Sequence, residues 1–440
     1  MQQRFYPFDI IDKKKKGFEL SEEEIKYFLS GFINKEIPDY QMSALLMCLY
    51  LKGMSSQETA AFTDIMTYSG QTIDFERTDV IDKHSLGGVG DKASFVLAAI
   101  AAAAGVKVPM MAGRTLGHTG GTIDKVESIP GFKTDLSLEE FKNQVLSHGI
   151  ALVSQTGEIA PADKAIYALR DVTATIDHIP LITASIMSKK LAEGAAGIVM
   201  DVKVGNGAFM KTRKDARDMA KSLIATAKRF NRKMVALITD MNQPLGFCVG
   251  NSLEIIESIE TLKGRGPKDL ETLSLELAAH MIHIGGKSES FSKAMQKAKE
   301  VLKSGKALDE FRKLIEYQGG NSKVIGNYDL LPLSKITTEV LSPINGYVKS
   351  FETEKIGYLL NDLGGGRKKK EDIIDHSVGF CFHKKIGDSI KEGESLVTIY
   401  HLDKQKDLAK DIAQELRDSV IKIAKTKIEA PELIYEKLES

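Results

Sequence analysis

At 440 residues the chain is long enough for two or three domains, each with a buried core. Its 60 basic and 60 acidic side chains cancel, which leaves no broad positive field for nucleic acid or an anionic membrane, so any anion it binds is small and held locally. Cys48, Cys248 and Cys381 lie far apart in sequence, make no metal-ligand or redox spacing, and are expected to be reduced thiols.

The run Met1-Gln2-Gln3-Arg4-Phe5-Tyr6-Pro7 has no signal-type apolar region, and the most apolar stretch, residues 95–104, is too short to span a bilayer; a soluble, cytoplasmic protein is expected. Ser21 and Glu24 form a capping box, and Ile25, Phe28, Leu29 and Phe32 follow at helical spacing. Pro38 opens a second helix with the apolar run 42–51, and Ser55 with Glu58 caps a third that Gly70 closes. Residues 1–70 therefore read as a small helical unit. A bundle this short has a face to spare, and Met42, Leu45, Leu46 and Leu49 are expected to serve either as core or in pairing across a two-fold axis.

From Asp79 the period changes. Short apolar runs at 106–111, 150–154, 198–204 and 234–239 alternate with helical patterns, the sign of an α/β domain. Two of its junctions are glycine-rich: Lys83-His84-Ser85 leads into Gly87-Gly88-Val89-Gly90-Asp91, and Ala112-Gly113-Arg114 leads through Gly117-His118-Thr119-Gly120-Gly121 to Thr122. Glycines at strand-to-helix junctions let backbone N–H groups converge on an anion, and the helix start adds partial positive charge. Lys83, Ser85, Ser94 and Thr122 supply the side-chain donors of a phosphate cradle; Ser94 also suits a helix start and Thr122 an N-cap. Residues 161–193 revert to helix. Beyond about residue 335, segments 342–348 and 386–394 are hairpin-like and similar to those of lipoyl or biotinyl carrier domains, but Lys355 lacks a carrier lysine's flanks and carrier function is not expected. The run Gly364 to Lys370, with Arg367, reads as a solvated loop.

The two glycine loops, with Ala160-Pro161-Ala162-Asp163-Lys164, Arg170-Asp171-Val172-Thr173-Ala174-Thr175, the block 185–194 and Met200-Asp201-Val202-Lys203-Val204-Gly205, resemble the signature of the thymidine and pyrimidine-nucleoside phosphorylases, nearly end to end. The resemblance implies an α/β multidomain fold. It has a helical domain (1–70, with 161–193 returning to it), an α/β phosphate-binding domain with a mixed sheet (71–160 and 194–335) and a C-terminal α+β lobe (336–440) with the lipoyl-like hairpins. It further implies a homodimer joined through the helical domain and reversible phosphorolysis of uridine, deoxyuridine or thymidine, with inorganic phosphate as co-substrate and no required cofactor.

By the same resemblance Arg170, Ser185 and Lys189 grip the base, and His84 approaches a base carbonyl to polarise or protonate it, as the one acid with a pKa near neutrality. Tyr167 and Leu116 flank the nucleoside, and His118 holds its loop. Some family members carry a potassium-like ion, whose matching positions here are Gly90, Lys92, Leu245, Cys248 and Glu257; Lys92 replaces a short hydroxyl residue, and its ammonium is expected to take the cation's place beside Glu257. Ala112 stands where relatives have serine, which removes one phosphate donor worth about 0.5–1.5 kcal/mol, and Thr115 where they mostly have glycine. Lys107 resembles the broad pyrimidine type rather than the thymidine-restricted one. The rival readings are a thymidine-restricted phosphorylase, a phosphoribosyltransferase of the same fold, for which no acidic pair beyond an isolated Asp201 is found, and a phosphosugar-binding protein without chemistry.

Overall fold

The computed structural model describes residues 5–115, 117–369 and 371–439. Helices Pro7–Lys15, Glu22–Ile33, Asp39–Lys52 and Ser56–Thr67 form the N-terminal bundle, with both expected capping boxes made. The first helix is not evident in the sequence, because Lys13-Lys14-Lys15-Lys16 reads as a solvated run. Only Lys14 turns inward, where its ammonium donates to both oxygens of buried Glu58 at 2.7 and 2.8 Å. Helices Pro161–Val172 and Ile179–Ala192 return to this bundle: Ala162, Ile166, Leu181 and Ala184 share a core with Phe28, Leu45 and Phe62. Met42, Leu45, Leu46 and Leu49 are all inside that core, so they are not a spare face; the unit's outward apolar residues include Phe8, Phe18, Tyr40, Leu51, Tyr68 and Val172.

Strands Ile150–Ser154, Val108–Ala112, Ile81–Ser85, Gly197–Val204 and Lys233–Asp240 lie side by side and parallel, with the join between the second and third made by a bridge from Val80 to Lys107. Helix Ala93–Ala103 is alanine-rich and apolar on every side because it is packed all round, against Lys268–Ile284, Phe291–Lys303 and Lys306–Tyr317 among others. The sheet is mixed because the last strand, Ile434–Glu439, pairs antiparallel with Lys233–Asp240. The sequence reading leaves that strand in the C-terminal lobe. It returns to the α/β sheet, where the Tyr435 hydroxyl donates to Asp240 at 2.7 Å and the Arg213 guanidinium lies 3.7 Å from the Tyr435 ring centre.

In the lobe, Gly346–Phe351 pairs antiparallel with Ser389–Ile390 and Ile421–Ala424, so the two hairpin-like segments do meet. A second antiparallel sheet runs Thr337–Leu341, Ser395–Tyr400, Gly379–Phe382 and then Cys248–Val249, the last contributed by the α/β domain. That register sets Cys248 opposite Cys381 with their Cα atoms 4.3 Å apart, and the two are disulfide-bonded. The expectation of three reduced thiols therefore fails. The pair is 133 residues apart, and its proximity is created by strand pairing that spacing does not reveal; Cys48 is free.

Candidate active site

Open α/β sheets bind ligands beyond the carboxyl ends of their strands, and both glycine loops leave the sheet there, after Ser85 and after Ala112. Lys83 points from the first strand to the helix that follows, where its ammonium donates to the Ser94 hydroxyl at 3.2 Å. The Ser85 hydroxyl donates to Asp91 at 2.6 Å and accepts the Gly87 N–H at 3.2 Å. Gly87 has φ +88°, and a Cβ there would lie 3.3 Å from the Thr119 side chain, so this left-handed residue is what lets the two loops touch. Thr122 is the first residue of helix Thr122–Val126, and Gly121, not Thr122, is its N-cap. Lys125 of that helix reaches back to the Asp91 carbonyl at 2.8 Å and to Glu254 at 2.7 Å.

Asp91 is the hub that the sequence reading did not single out. Burial opposes its ionisation, but the fields of Lys203, Lys83 and Lys125 outweigh burial and hold the carboxyl well below its usual range. It is a fixed anion that orients Ser85 and keeps three lysines together.

His84 departs from expectation. Burial first, then the charges of Lys190, Lys189 and Lys83, push its imidazole well below 6.5, with Asp91 opposing, so the resting side chain is neutral at neutral pH. The lysine charges that act on it come from Lys83 on its own strand and from Lys189 and Lys190 on helix Ile179–Ala192.

The Lys189 ammonium donates to Asp163 at 2.7 Å and to Ser185 at 3.0 Å, one helical turn away. Asp163 comes from helix Pro161–Val172 and is the positioning partner that sequence reasoning passed over. Lys190 is no exposed companion of Lys189. It is buried against Asp82 at 2.6 Å, Glu193 at 2.8 Å and the Met111 carbonyl at 2.9 Å, tying the crossing helix to two strands of the sheet. Burial and the nearby Asp82 push the Glu193 carboxyl well above its ordinary range. Arg170 is buried too, and donates to the carbonyls of Thr175, Leu181 and Ile176 at 3.1, 3.1 and 2.7 Å. Those bonds fix the turn between the two helices and use one N–H on each terminal nitrogen, of the two that each carries. Tyr167 stands 5.8 Å from the Arg170 guanidinium, and Leu116 lies outside the described residues.

The second loop is held from the lobe. Arg114 pairs with Glu127 at 2.6 Å and Asp124 at 3.1 Å, while the Thr115 N–H and hydroxyl both donate to Asp124 at 2.7 Å. Arg367, read from sequence as solvated, also binds Asp124 at 2.7 Å. The His118 ring is bonded to the Gly207 carbonyl at 3.0 Å and packs near Phe209 and Tyr358. A Cβ on Gly357 would come within 2.0 Å of the His118 carbonyl, so glycine is what lets helix Thr353–Asp362 pack this closely.

The cation positions also converge. The Lys92 ammonium is fully buried and donates to the Leu245 carbonyl at 2.8 Å, the Cys248 carbonyl at 2.7 Å and the Glu257 carboxylate, with Gly90 at φ +71° against the Leu245 carbonyl. These oxygens are taken by an ammonium, so they do not fit a potassium ion as well. Lys107 donates to the Leu146 carbonyl at 2.8 Å from the entry end of its strand, opposite the loops, and so does not reach a substrate there.

Residues 8–70 match the helical bundle domain of a glycosyl transferase family, 77–308 its a/b domain, and 347–422 the pyrimidine nucleoside phosphorylase C-terminal domain. The chain is 47% identical over 432 residues to the pyrimidine-nucleoside phosphorylase of Geobacillus stearothermophilus, covering 98% of this chain and 99% of that protein. The chain belongs to the pyrimidine-nucleoside phosphorylase family. The enzyme of that name from Bacillus subtilis (strain 168) is 45% identical over 429 residues, 97% of this chain and 98% of the relative. The crystal structure of anthranilate phosphoribosyltransferase from Thermus thermophilus matches with a TM-score of 0.59 at 18% identity, covering 70% of this chain and 99% of that one. That likeness is one of fold. The family's C-terminal domain falls within the lobe whose Arg367 and Gly357 brace the second glycine loop.

Proposed function

We propose that the chain catalyses reversible phosphorolysis of pyrimidine nucleosides (uridine, deoxyuridine and thymidine), with inorganic phosphate as co-substrate, in the cytoplasm and as a homodimer joined through the helical domain. One observation carries this reading: the charges of Lys83, bonded to Ser94 beside the first glycine loop, and of Lys189, bonded to Ser185 on helix Ile179–Ala192, both act on His84. Phosphate held at the first group attacks the sugar carbon. As its new C–O bond forms, the C–N bond to the base breaks and the electron pair leaves with the base. Lys189 and the remaining Arg170 N–H groups favour that developing anion more than the neutral nucleoside, which lowers the barrier instead of merely tightening binding.

Neutral His84 can donate one N–H to a base carbonyl. A phosphate dianion beside Lys83 offsets the lysine charges that add to burial in depressing its pKa, and so makes it a better proton source once phosphate is bound. Because the resting imidazole is held well below its ordinary value and bound phosphate raises it, phosphate binding takes up protons at pH values between the two states' pKa values. Calorimetry of phosphate binding in buffers of different ionisation heat is expected to show this uptake, and to show less of it in His84→Asn; equal uptake in the two proteins would remove the proton role. Potassium is not required in this reading, since Lys92 supplies the charge.

The phosphorolysis is tested by following base release from uridine and thymidine, each with and without phosphate. Phosphate-dependent release of both bases is expected. Release of thymine alone restricts the enzyme to thymidine, and no release overturns the assignment. Among the described residues no helix is long and apolar enough to cross a membrane.

A further inference from the structure

We propose that Cys248 and Cys381 are a reversible dithiol–disulfide site, addressed by small disulfides, whose oxidation state sets how firmly the phosphate loop is held. The two cysteines come from different domains, and both line one cavity of about 470 Å³, with Phe247, Tyr328, Tyr400 and Arg265 among its walls. Both cysteines are half-buried, and Arg265 at the cavity's edge is solvent-exposed, so a small reagent has a route in.

The chemistry balances with one external disulfide. A thiolate of the pair, having lost its proton, attacks that disulfide and expels one thiolate. The second cysteine thiolate then attacks the mixed disulfide and expels the other. Two cysteine sulfurs are oxidised by one electron each, the external disulfide accepts both electrons, and the two protons leave with the two released thiols.

What the bond controls follows from its neighbours. Residues 244–248 form the loop whose Leu245 and Cys248 carbonyls hold Lys92, and the Cys248 N–H donates to Glu257 at 3.1 Å. Lys92 is the N-cap of helix Ala93–Ala103, and Ser94, the Lys83 partner, lies two residues on. From the lobe the same loop is gripped by Lys385, whose ammonium donates to the Pro244 and Gly246 carbonyls and pairs with Asp269 at 2.9 Å. The strand contact itself is only two residues long, Cys248 to Cys381 and Val249 to Phe380. With the sulfurs joined, the loop is covalently fixed against the lobe; with them reduced, that short ladder, Lys385 and the N–H groups of Phe382 and Ile386, which donate to the Phe247 carbonyl and to Gln243 at 2.9 Å each, still hold it, but without a covalent bond.

The test uses the full chain treated with oxidised glutathione or with dithiothreitol, both reagents then removed. After oxidation the unfolded chain is expected to show one reactive thiol, Cys48, and an intact mass lower by two hydrogens; after reduction it shows three. Calorimetry with inorganic phosphate should give weaker binding in the reduced form by on the order of fivefold, at the low end of couplings between distinct sites. Cys381→Ser should keep the weaker value under both treatments, and Cys48→Ser should still switch. Three thiols after oxidation or, in Cys48→Ser, a lasting glutathione adduct or a chain-to-chain crosslink would each overturn the pairing. A disulfide that forms while phosphate affinity stays equal would overturn the control. The phosphate arm rests on the cradle assigned above, but none of these readouts needs turnover. Loss of the phosphorolysis reading would therefore show as absent base release with the thiol switch intact.

Discussion

Lys189→Ala is expected to lower kcat/KM for nucleosides by about a hundred- to a thousandfold, the range seen when one preorganised donor to a developing anion is removed. The side chain is half-buried and its ammonium is fixed by Asp163 at 2.7 Å and Ser185 at 3.0 Å, so it meets a leaving base without having to reorganise. The effect should fall mainly on kcat, because the charge of the base grows during bond breaking and is small in the bound nucleoside. Lys189→Gln separates charge from contact: it can still bond Asp163 and Ser185 but carries no positive charge, and it should remain close to the alanine variant in rate. A glutamine enzyme near full activity would show that a hydrogen bond suffices. An alanine enzyme of normal rate, with an unchanged circular dichroism spectrum, would remove Lys189 from the base site altogether.

Much of this architecture is visible in the residues. Helix caps at Ser21 and Ser55 are local interactions between neighbours three apart, and local chemistry is what a sequence displays. The parallel strands show as short apolar runs because both faces are covered, and the glycine loops show because backbone has to approach backbone there. What does not show is anything made by long-range register. Cys248 meets Cys381 through a two-residue strand, Ile434–Glu439 crosses back to the sheet, and Arg367 reaches Asp124 across 243 positions. Charged side chains mislead for a related reason. Lys14, Lys92, Lys190 and Lys203 are buried; the family resemblance sets Lys92 beside Glu257, but each of the others looks like a surface lysine until its carboxylate is found in another part of the fold or, as with Asp201 and Lys203, on the same face of one strand. The lowered pKa of His84 does not show either, since its burial and the lysines that add to it are products of the fold, from its own strand and from a helix about a hundred residues on.

Among those buried lysines, Lys92 gives the sharpest stability test. Lys92→Thr is expected to cost about 3–5 kcal/mol in sodium-free, potassium-free buffer, the usual penalty for leaving one member of a buried ion pair uncompensated. Glu257 would then face the Leu245 and Cys248 carbonyls with no cation among them, and oxygens around a vacated ammonium are what a monovalent cation seeks. The variant should therefore regain much of its thermal midpoint, and its phosphate affinity, as potassium is added, by ordinary linkage between binding and folding. The parent chain should show neither response, because its own ammonium already fills the cage. Potassium titration of both proteins, read by thermal unfolding in a tetraalkylammonium buffer whose cation is too large to enter, separates the outcomes without recourse to turnover. A parent chain stabilised by potassium would mean that Lys92 leaves the cage in solution. A variant blind to potassium but equally destabilised would mean that these oxygens are organised by the lysine itself and form no site without it.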